Sequence, residues 1–65
     1  MPIIQVNLLQ GRSAEAKRKF AAGVTQLACD CFGVKASQVR VMLNEMSPNN
    51  YAIAGRLVSD GDGKS

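Results

Sequence analysis

Histidine and tryptophan are absent from this 65-residue chain, and cysteine occurs only twice. Without an imidazole there is no Ser-His-Asp triad and no His-ligated metal site. Cys29 and Cys31 lie two apart in a stretch with helical patterning, where such neighbours do not face each other. They are poorly placed to bridge within one chain, they match neither the zinc spacings nor C-x-x-C, and they read as packing residues rather than reactive thiols. No cofactor and no metal is expected. A run of about 18 apolar residues is missing too, as is a basic, apolar, small-residue leader, so nothing signals export or membrane insertion. The expected compartment is the cytoplasm.

What is present is a small, apolar, weakly basic chain. Residues 1–65 make a single domain, and a chain of about this size buries only ~60% of the surface that its unfolded form exposes. So small a core needs disulfides, a metal or oligomerisation. With the first two argued away, oligomerisation is left, and a hydrophobic content of 46% implies apolar surface for a partner subunit to cover. The net charge of +3 favours anionic partners in general, whether small carboxylates, nucleic acid or an acidic membrane surface. Charge does not choose among them.

Behind Met1-Pro2, residues Ile4, Val6 and Leu8 alternate onto one face and Ile3, Gln5, Asn7 and Leu9 onto the other, which predicts a strand over Ile3–Leu9. Gln10-Gly11-Arg12 is a short connection. Ser13 is a good N-cap, and Glu15 complements the dipole of a helix predicted from Ala14 to Phe32, with Gly33 as its stop. Ala16, Phe20, Val24, Leu27, Ala28 and Cys31 form the stripe expected to face the strand, while Lys17, Arg18, Gln26 and Asp30 point outward. The Lys17-Arg18-Lys19 run reads as a solvated helix face. Val34 to Gln38 is a polar link with room for one helical turn. Val39–Met46 is the second predicted strand, with Val39, Val41 and Leu43 on one face and Arg40, Met42, Asn44 and Met46 on the other.

Strand, long helix and strand make a βαβ unit, with parallel strands joined by a right-handed crossover. Two strands are too few to stand alone. Their edges and second faces invite another copy of the chain. Ser47-Pro48-Asn49-Asn50 is a turn, and Tyr51 to Arg56 is a short extended piece, too small for an independent strand pair and expected to pack on a neighbour. Residues 60–65 form a polar tail expected to fray.

Few residues carry chemistry. If Met1 is removed, Pro2 bears a secondary amine, an α-amino base whose ordinary pKa is about 7.7–8.0. Burial and nearby cations both push such an amine toward its neutral, basic form. Met-Pro is also a common way to begin a protein. Arg12 has two readings, a solvated residue in a strand-to-helix turn or a fixed charge facing a ligand. Arg40, between Val39 and Val41, is costly to bury unless it is paired or meets an anion. Glu45, Tyr51 and Met42 read equally well as interface filling.

Pro2-Ile3-Ile4-Gln5-Val6, Leu9-Gln10-Gly11-Arg12-Ser13, Val39-Arg40-Val41, Asn44-Glu45-Met46 and Tyr51 through Gly55 occur in order between Pro2 and about Ser59. In that order and at those separations they resemble the tautomerase superfamily, specifically the short 4-oxalocrotonate (2-hydroxymuconate) tautomerase family. The resemblance implies an α/β fold, one βαβ unit with a short C-terminal hairpin. Two such units would pair into a four-stranded sheet, and three dimers would form a homohexamer. It implies an enzyme of aromatic hydrocarbon catabolism that converts a dienol such as 2-hydroxymuconate to the conjugated 2-oxo acid, with Pro2 as the base once Met1 is lost. By the same carry-over Arg12 grips the far carboxylate of the substrate. Arg40, from a neighbouring subunit, meets the carboxylate and oxygen beside the reacting carbon, and Tyr51 takes the place of the pocket aromatic. The physical sense is independent of the family: a planar, doubly negative dienolate suits two guanidinium forks, and positive charge stabilises an enolate-like transition state.

The chain departs from the family pattern in three places. Tyr51 stands where phenylalanine is more frequent, Ala54-Gly55 replaces a glycine pair, and Arg56 follows where an acidic residue is familiar. These changes bear on substrate identity more than on the chemistry. The superfamily's hydratases and dehalogenases need an added carboxylate, and none occurs from Ser47 to Ser59. Two rivals stay open: a small basic nucleic-acid-binding dimer, and an inactive or partner subunit of a mixed tautomerase oligomer. Scattering of the eight basic residues among five acidic ones speaks against the first. The expected partners are therefore a small anionic carboxylate or dicarboxylate and further copies of the chain, with no nucleic acid and no membrane.

Overall fold

A computed structural model describes residues 1–61. Strand β1 (Ile3–Leu9) leads into helix α1 (Ala14–Phe32), and the chain returns through one 3-10 turn (Ala36–Gln38) into β2 (Arg40–Met46). The helix ends follow from local chemistry. The Ser13 hydroxyl accepts the Ala16 N–H at 3.1 Å, and Gly33, at φ 68°, donates its N–H to the Cys29 carbonyl at 2.9 Å. That left-handed cap is where glycine avoids the Cβ clash. The second strand begins one residue later than its apolar pattern predicts. Val39 gives its N–H to the Ala36 carbonyl at 3.1 Å, closing the 3-10 turn rather than joining the ladder.

β1 and β2 pair in parallel, with Ile3 opposite Arg40, Val6 opposite Leu43 and Leu9 opposite Met46. Burial alternates along both strands: Ile4, Val6, Leu8, Val41 and Leu43 are half-buried, whereas Ile3, Gln5, Asn7, Arg40, Met42 and Asn44 are exposed. The first set lies on the side covered by α1. The second is an open sheet face.

The helix is rotated from the orientation its apolar pattern predicts. The face that loses solvent runs through Lys17, Ala21, Val24 and Ala28, with Ala28 5% exposed. Val24 and Ala28 sit as expected. Leu27 and Cys31 do not, Leu27 being 60% exposed on the flank, while Ala16 and Phe20 border a cavity with the strand residues Val6, Leu8 and Leu43 and stay uncovered, Phe20 at 45%. Small residues let the helix approach the sheet, and alanines carry too little hydrophobic contrast to mark that face in a sequence. Lys17 is likewise not outward, since its Nζ meets a Glu45 carboxylate oxygen at 3.1 Å. With both side chains about a third exposed, the pair contributes less than about 1 kcal/mol and serves chiefly to orient.

The segment after the Ser47-Pro48 turn is also more ordered than a single extended piece. β3 (Ala52–Ile53) and β4 (Arg56–Leu57) pair antiparallel across Ala54 and Gly55, whose φ values are 54° and 81°. Two consecutive positive φ angles make the two-residue turn whose twist matches a hairpin. Alanine is an unusual occupant of the first position, so the turn has no familiar dipeptide signal. A closing 3-10 turn (Val58–Asp60) follows, and its Val58 N–H donates to the Tyr51 carbonyl at 2.8 Å. Val58 is 9% exposed, so the tail expected to fray from residue 60 is anchored at least through Asp60; residues 62–65 lie outside the described part.

The shape decides how the fold is held. The Cα radius of gyration is 14.9 Å and the extents are 43 × 24 × 13 Å. A compact domain of this length has a radius near 11 Å, roughly. Only Ala28 and Val58 are buried among the described residues. One thin layer of this kind encloses no core, and Ile3, Phe20, Leu27, Ile53 and Leu57 are left exposed, an apolar surface of the kind a partner subunit covers.

Leu27→Asp provides the test. At 60% exposure in the single chain the substitution is expected to change stability by no more than about 0.5 kcal/mol. If a partner covers this flank, sedimentation equilibrium will instead show loss of the oligomer together with loss of helical circular dichroism. Wild-type sedimentation of the variant would mean that the flank of α1 is free. The hairpin makes a second prediction: Ala54→Asn, which tolerates positive φ and restores an Asn-Gly turn, raises the denaturant midpoint by the equivalent of about 1 kcal/mol at fixed protein concentration.

Candidate active site

At the beginning of the sheet, Pro2 is half-buried and its carbonyl accepts the Arg40 N–H at 3.0 Å. Met1, 73% exposed, is joined to it, so the Pro2 nitrogen here is a planar tertiary amide without a basic lone pair. The Arg40 side chain lies with Ile3 on the open face. One guanidinium N–H donates to the Ser37 carbonyl at 2.7 Å, which the 3-10 turn places beside it. This bond pins one arm of the fork and leaves the others to solvent.

Arg12 and Tyr51 stand at the other end. Arg12 reaches back from the strand-to-helix connection, its Nη1 lying 3.4 Å from the Leu9 carbonyl, a long contact. With Tyr51 it lines a cavity of about 390 Å³ that also takes in Asn7, Leu9 and Met46. On the helix side a second cavity of about 330 Å³, walled by Val6, Leu8, Phe20 and Leu43, has Arg12 and Lys17 at its margin. The hairpin sets Tyr51 in place through the bond from Val58 to its carbonyl.

The four candidate residues thus fall into two pairs. Pro2 and Arg40 share a backbone hydrogen bond, Arg12 and Tyr51 share a cavity, and a strand of seven residues lies between the pairs. At the ordinary rise per residue that is about 20 Å. No single copy of the chain brings all four together. Asn7, Leu9 and Met46 have no sequence context that marks them as site residues. The available signal is their shared strand face and the pairing of Leu9 with Met46 at the same end as Arg12.

The only ion pair among the described residues is Lys17–Glu45, so Arg12 and Arg40 have no carboxylate partner there. Among the same residues no cluster of three or more His, Cys, Asp or Glu side chains is placed to hold a metal ion, and no helix is long and apolar enough to cross a membrane. Arg12, the Tyr51 wall and the apolar Leu9–Met46 floor at one end of the sheet suit a planar anion.

Comparison with known proteins agrees with this chemistry. The family model described as Tautomerase enzyme matches residues 2–61. A probable tautomerase of Halalkalibacterium halodurans is 37% identical over 60 residues, covering 92% of this chain and 98% of the relative. The crystal structure of a 4-oxalocrotonate tautomerase homologue superposes with a TM-score of 0.90 at 36% identity, over 97% of this chain and all of the other. A heterohexameric 4-oxalocrotonate tautomerase from Chloroflexus aurantiacus gives a TM-score of 0.85 at 27% identity, over 92% and 97% of the two chains. The β-α-β unit with its hairpin is the architecture these structures share. On the family match over residues 2–61 and the near-complete coverage of its relatives, the chain belongs to the tautomerase superfamily, in the 4-oxalocrotonate tautomerase family of isomerases.

Proposed function

We propose that this isomerase converts a dienol such as 2-hydroxymuconate to its conjugated 2-oxo acid in the cytoplasm, with Pro2 as general base after Met1 is removed. The observation that carries the reading is the absence of any carboxylate partner for Arg12 and Arg40 among the described residues, which leaves two guanidinium forks for an anion. Met1 is exposed enough for its removal, and its loss turns the Pro2 amide into a secondary amine. That amine takes the proton of the enol hydroxyl. The oxygen's electron pair forms the carbonyl, the double bonds shift along the chain, and the protonated amine returns its proton to the distant carbon. Nothing is gained or lost overall.

Arg40 stabilises charge developing on the oxygen, and Arg12 holds the far carboxylate against the Tyr51 wall. Because the two pairs lie at opposite ends of one sheet, the complete site is formed between copies, Pro2 of one facing Arg12 and Tyr51 of another, with Arg40 supplied by a neighbouring subunit as the resemblance implies. A homohexamer built from dimers satisfies this. A mixed oligomer is the second reading, favoured by the heterohexameric neighbour from Chloroflexus aurantiacus. Native mass analysis of the purified complex separates the two.

Intact-mass measurement is expected to divide preparations into an active form lacking Met1 and an inactive or feeble form retaining it. Pro2→Ala should lower kcat/KM more than either arginine change. Full activity in protein shown to keep Met1 would remove Pro2 from the mechanism. Arg12→Ala is expected to raise KM about tenfold or more, as loss of a charge-assisted bond does, whereas Arg40→Ala lowers kcat as well. The shared site makes a further prediction: co-refolding of Pro2→Ala with Arg12→Ala restores part of the activity, since some interfaces then carry both wild-type residues. Strict additivity of the two losses in the mixture would place the whole site in one chain.

A further inference from the structure

Among the described residues a single ion pair joins the helix to the sheet: Lys17 Nζ meets Glu45 Oε2 at 3.1 Å, with 30% and 33% of the two side chains exposed. The pair stands beside Arg12. Lys17 gives its backbone N–H to the Ser13 carbonyl at 3.2 Å, so it lies one turn into α1, just after the connection that carries Arg12. Glu45 is the ladder partner of Leu8, and Leu8 borders both of the cavities that Arg12 lines. The helix-side cavity has Arg12 and Lys17 as its charged lining residues. Two cations and one carboxylate therefore share this end of the sheet, and Lys17 holds the carboxylate. Arg12 is left with the Leu9 carbonyl at 3.4 Å, a long contact to a neutral acceptor that an anion displaces.

We infer, on the tautomerase reading proposed above, that Lys17 is a positioning residue for substrate binding: it sequesters Glu45 and so keeps the Arg12 fork open for the far carboxylate of the substrate. Without the Lys17 charge, Arg12 is the cation that remains at the helix-side cavity, and Glu45 turns to it past Leu8. A guanidinium–carboxylate fork is the strongest pairing either group can make there, and it occupies the N–H donors that a substrate carboxylate uses. The substrate must then displace a partner from the same chain. Because this contact is remote from the moving proton and equal in the ground and transition states, KM rises and kcat holds. A simple strut between helix and sheet behaves differently. It is broken alike from either end, whereas here the two ends have opposite consequences: loss of the Lys17 charge releases a competitor for Arg12, and loss of the Glu45 charge removes it.

Steady-state kinetics on the oligomer lacking Met1, with 2-hydroxymuconate as the probe, tests this. Lys17→Met, which keeps the apolar stem, is expected to raise KM about fivefold at unchanged kcat, the scale of one partly exposed ion pair. Glu45→Gln should leave KM at or below the wild-type value, and the double variant Lys17→Met/Glu45→Gln should return it there. Lys17→Arg keeps the pair and the wild-type KM. In an Arg12→Ala background Lys17→Met should add nothing, since the group it protects is gone. Sedimentation and helical circular dichroism establish that each variant is assembled; should Lys17→Met fail to assemble, Lys17→Gln, which hydrogen-bonds Glu45 without neutralising it, decides. Equal rises in KM for Lys17→Met and Glu45→Gln would make the pair a strut. A rise in Lys17→Met that Glu45→Gln does not relieve would mean that Lys17 itself touches the substrate, and an unchanged KM would mean that Glu45 does not reach Arg12. Each of these results overturns the inference and leaves the tautomerase reading standing. A wild-type KM in Arg12→Ala removes Arg12 from the site and the inference with it, and no turnover by the wild type overturns the tautomerase reading itself.

Discussion

The parallel ladder between β1 and β2 is the constraint from which the other features follow. Its register sets Ile3 beside Arg40 and Leu9 beside Met46, and it is extended at both ends by single bonds, Arg40 N–H to the Pro2 carbonyl at 3.0 Å and Gln10 N–H to the Met46 carbonyl at 2.9 Å. The first bond holds the N-terminal proline at the sheet's edge next to an arginine. The second fixes where the chain leaves for Gly11 and Arg12. A slip of one residue would exchange the two faces, turning Ile4, Val6 and Leu8 away from the helix. A one-residue slip of β2 instead would carry Arg40 onto the helix side, where its charge would have to be desolvated. Apolar burial and arginine placement are thus enforced by one set of hydrogen bonds.

Much of this architecture is legible in the amino-acid sequence alone. Period-two alternation marks β1, and Ser13 and Gly33 bracket a helix whose ends fall where those two residues place them. The misplaced parts share a cause. Phe20 and Leu27 carry the strongest apolar signal on α1 yet stay largely exposed, because the apolar pattern of a helix does not say which of its apolar residues its own sheet covers. Ala21 and Ala28, which do face the sheet, read as neutral. Ala54 hides the hairpin turn because its positive φ is held by the pairing of β3 with β4, a context that no dipeptide preference encodes.

For the proposed site, the candidate residue types are legible in the sequence and their arrangement is not. Pro2, Arg12, Arg40 and Tyr51 stand out by chemistry and by resemblance, but their division between two ends of the sheet depends on strand direction and register together. Asn7 has no distinguishing feature in a strand of alternating residues. It gains interest only once Tyr51, far along the chain, is folded back to the same cavity by the hairpin. Separation in sequence conceals the pairing.

Charge ties the site to the assembly. Glu45 is the acidic residue on the helix side of β2, and Lys17 occupies it at 3.1 Å, so it is not available to neutralise Arg12 nearby. Within one chain Arg12 and Arg40 are separated by most of the length of the sheet, farther than the screening length of about 8 Å at physiological ionic strength. Their mutual repulsion there is slight. In the proposed shared site the same two cations would approach one pocket, and at about 6 Å and an effective dielectric of about 20 the repulsion amounts to roughly 3 kcal/mol. An empty pocket would then oppose assembly, and a dianion placed between the two forks would offset that opposition. Affinity for a doubly charged substrate and cohesion between the subunits would draw on a single electrostatic term, which is why the arginines are best kept apart in the separate chain and brought together only where a ligand of opposite charge can lie between them.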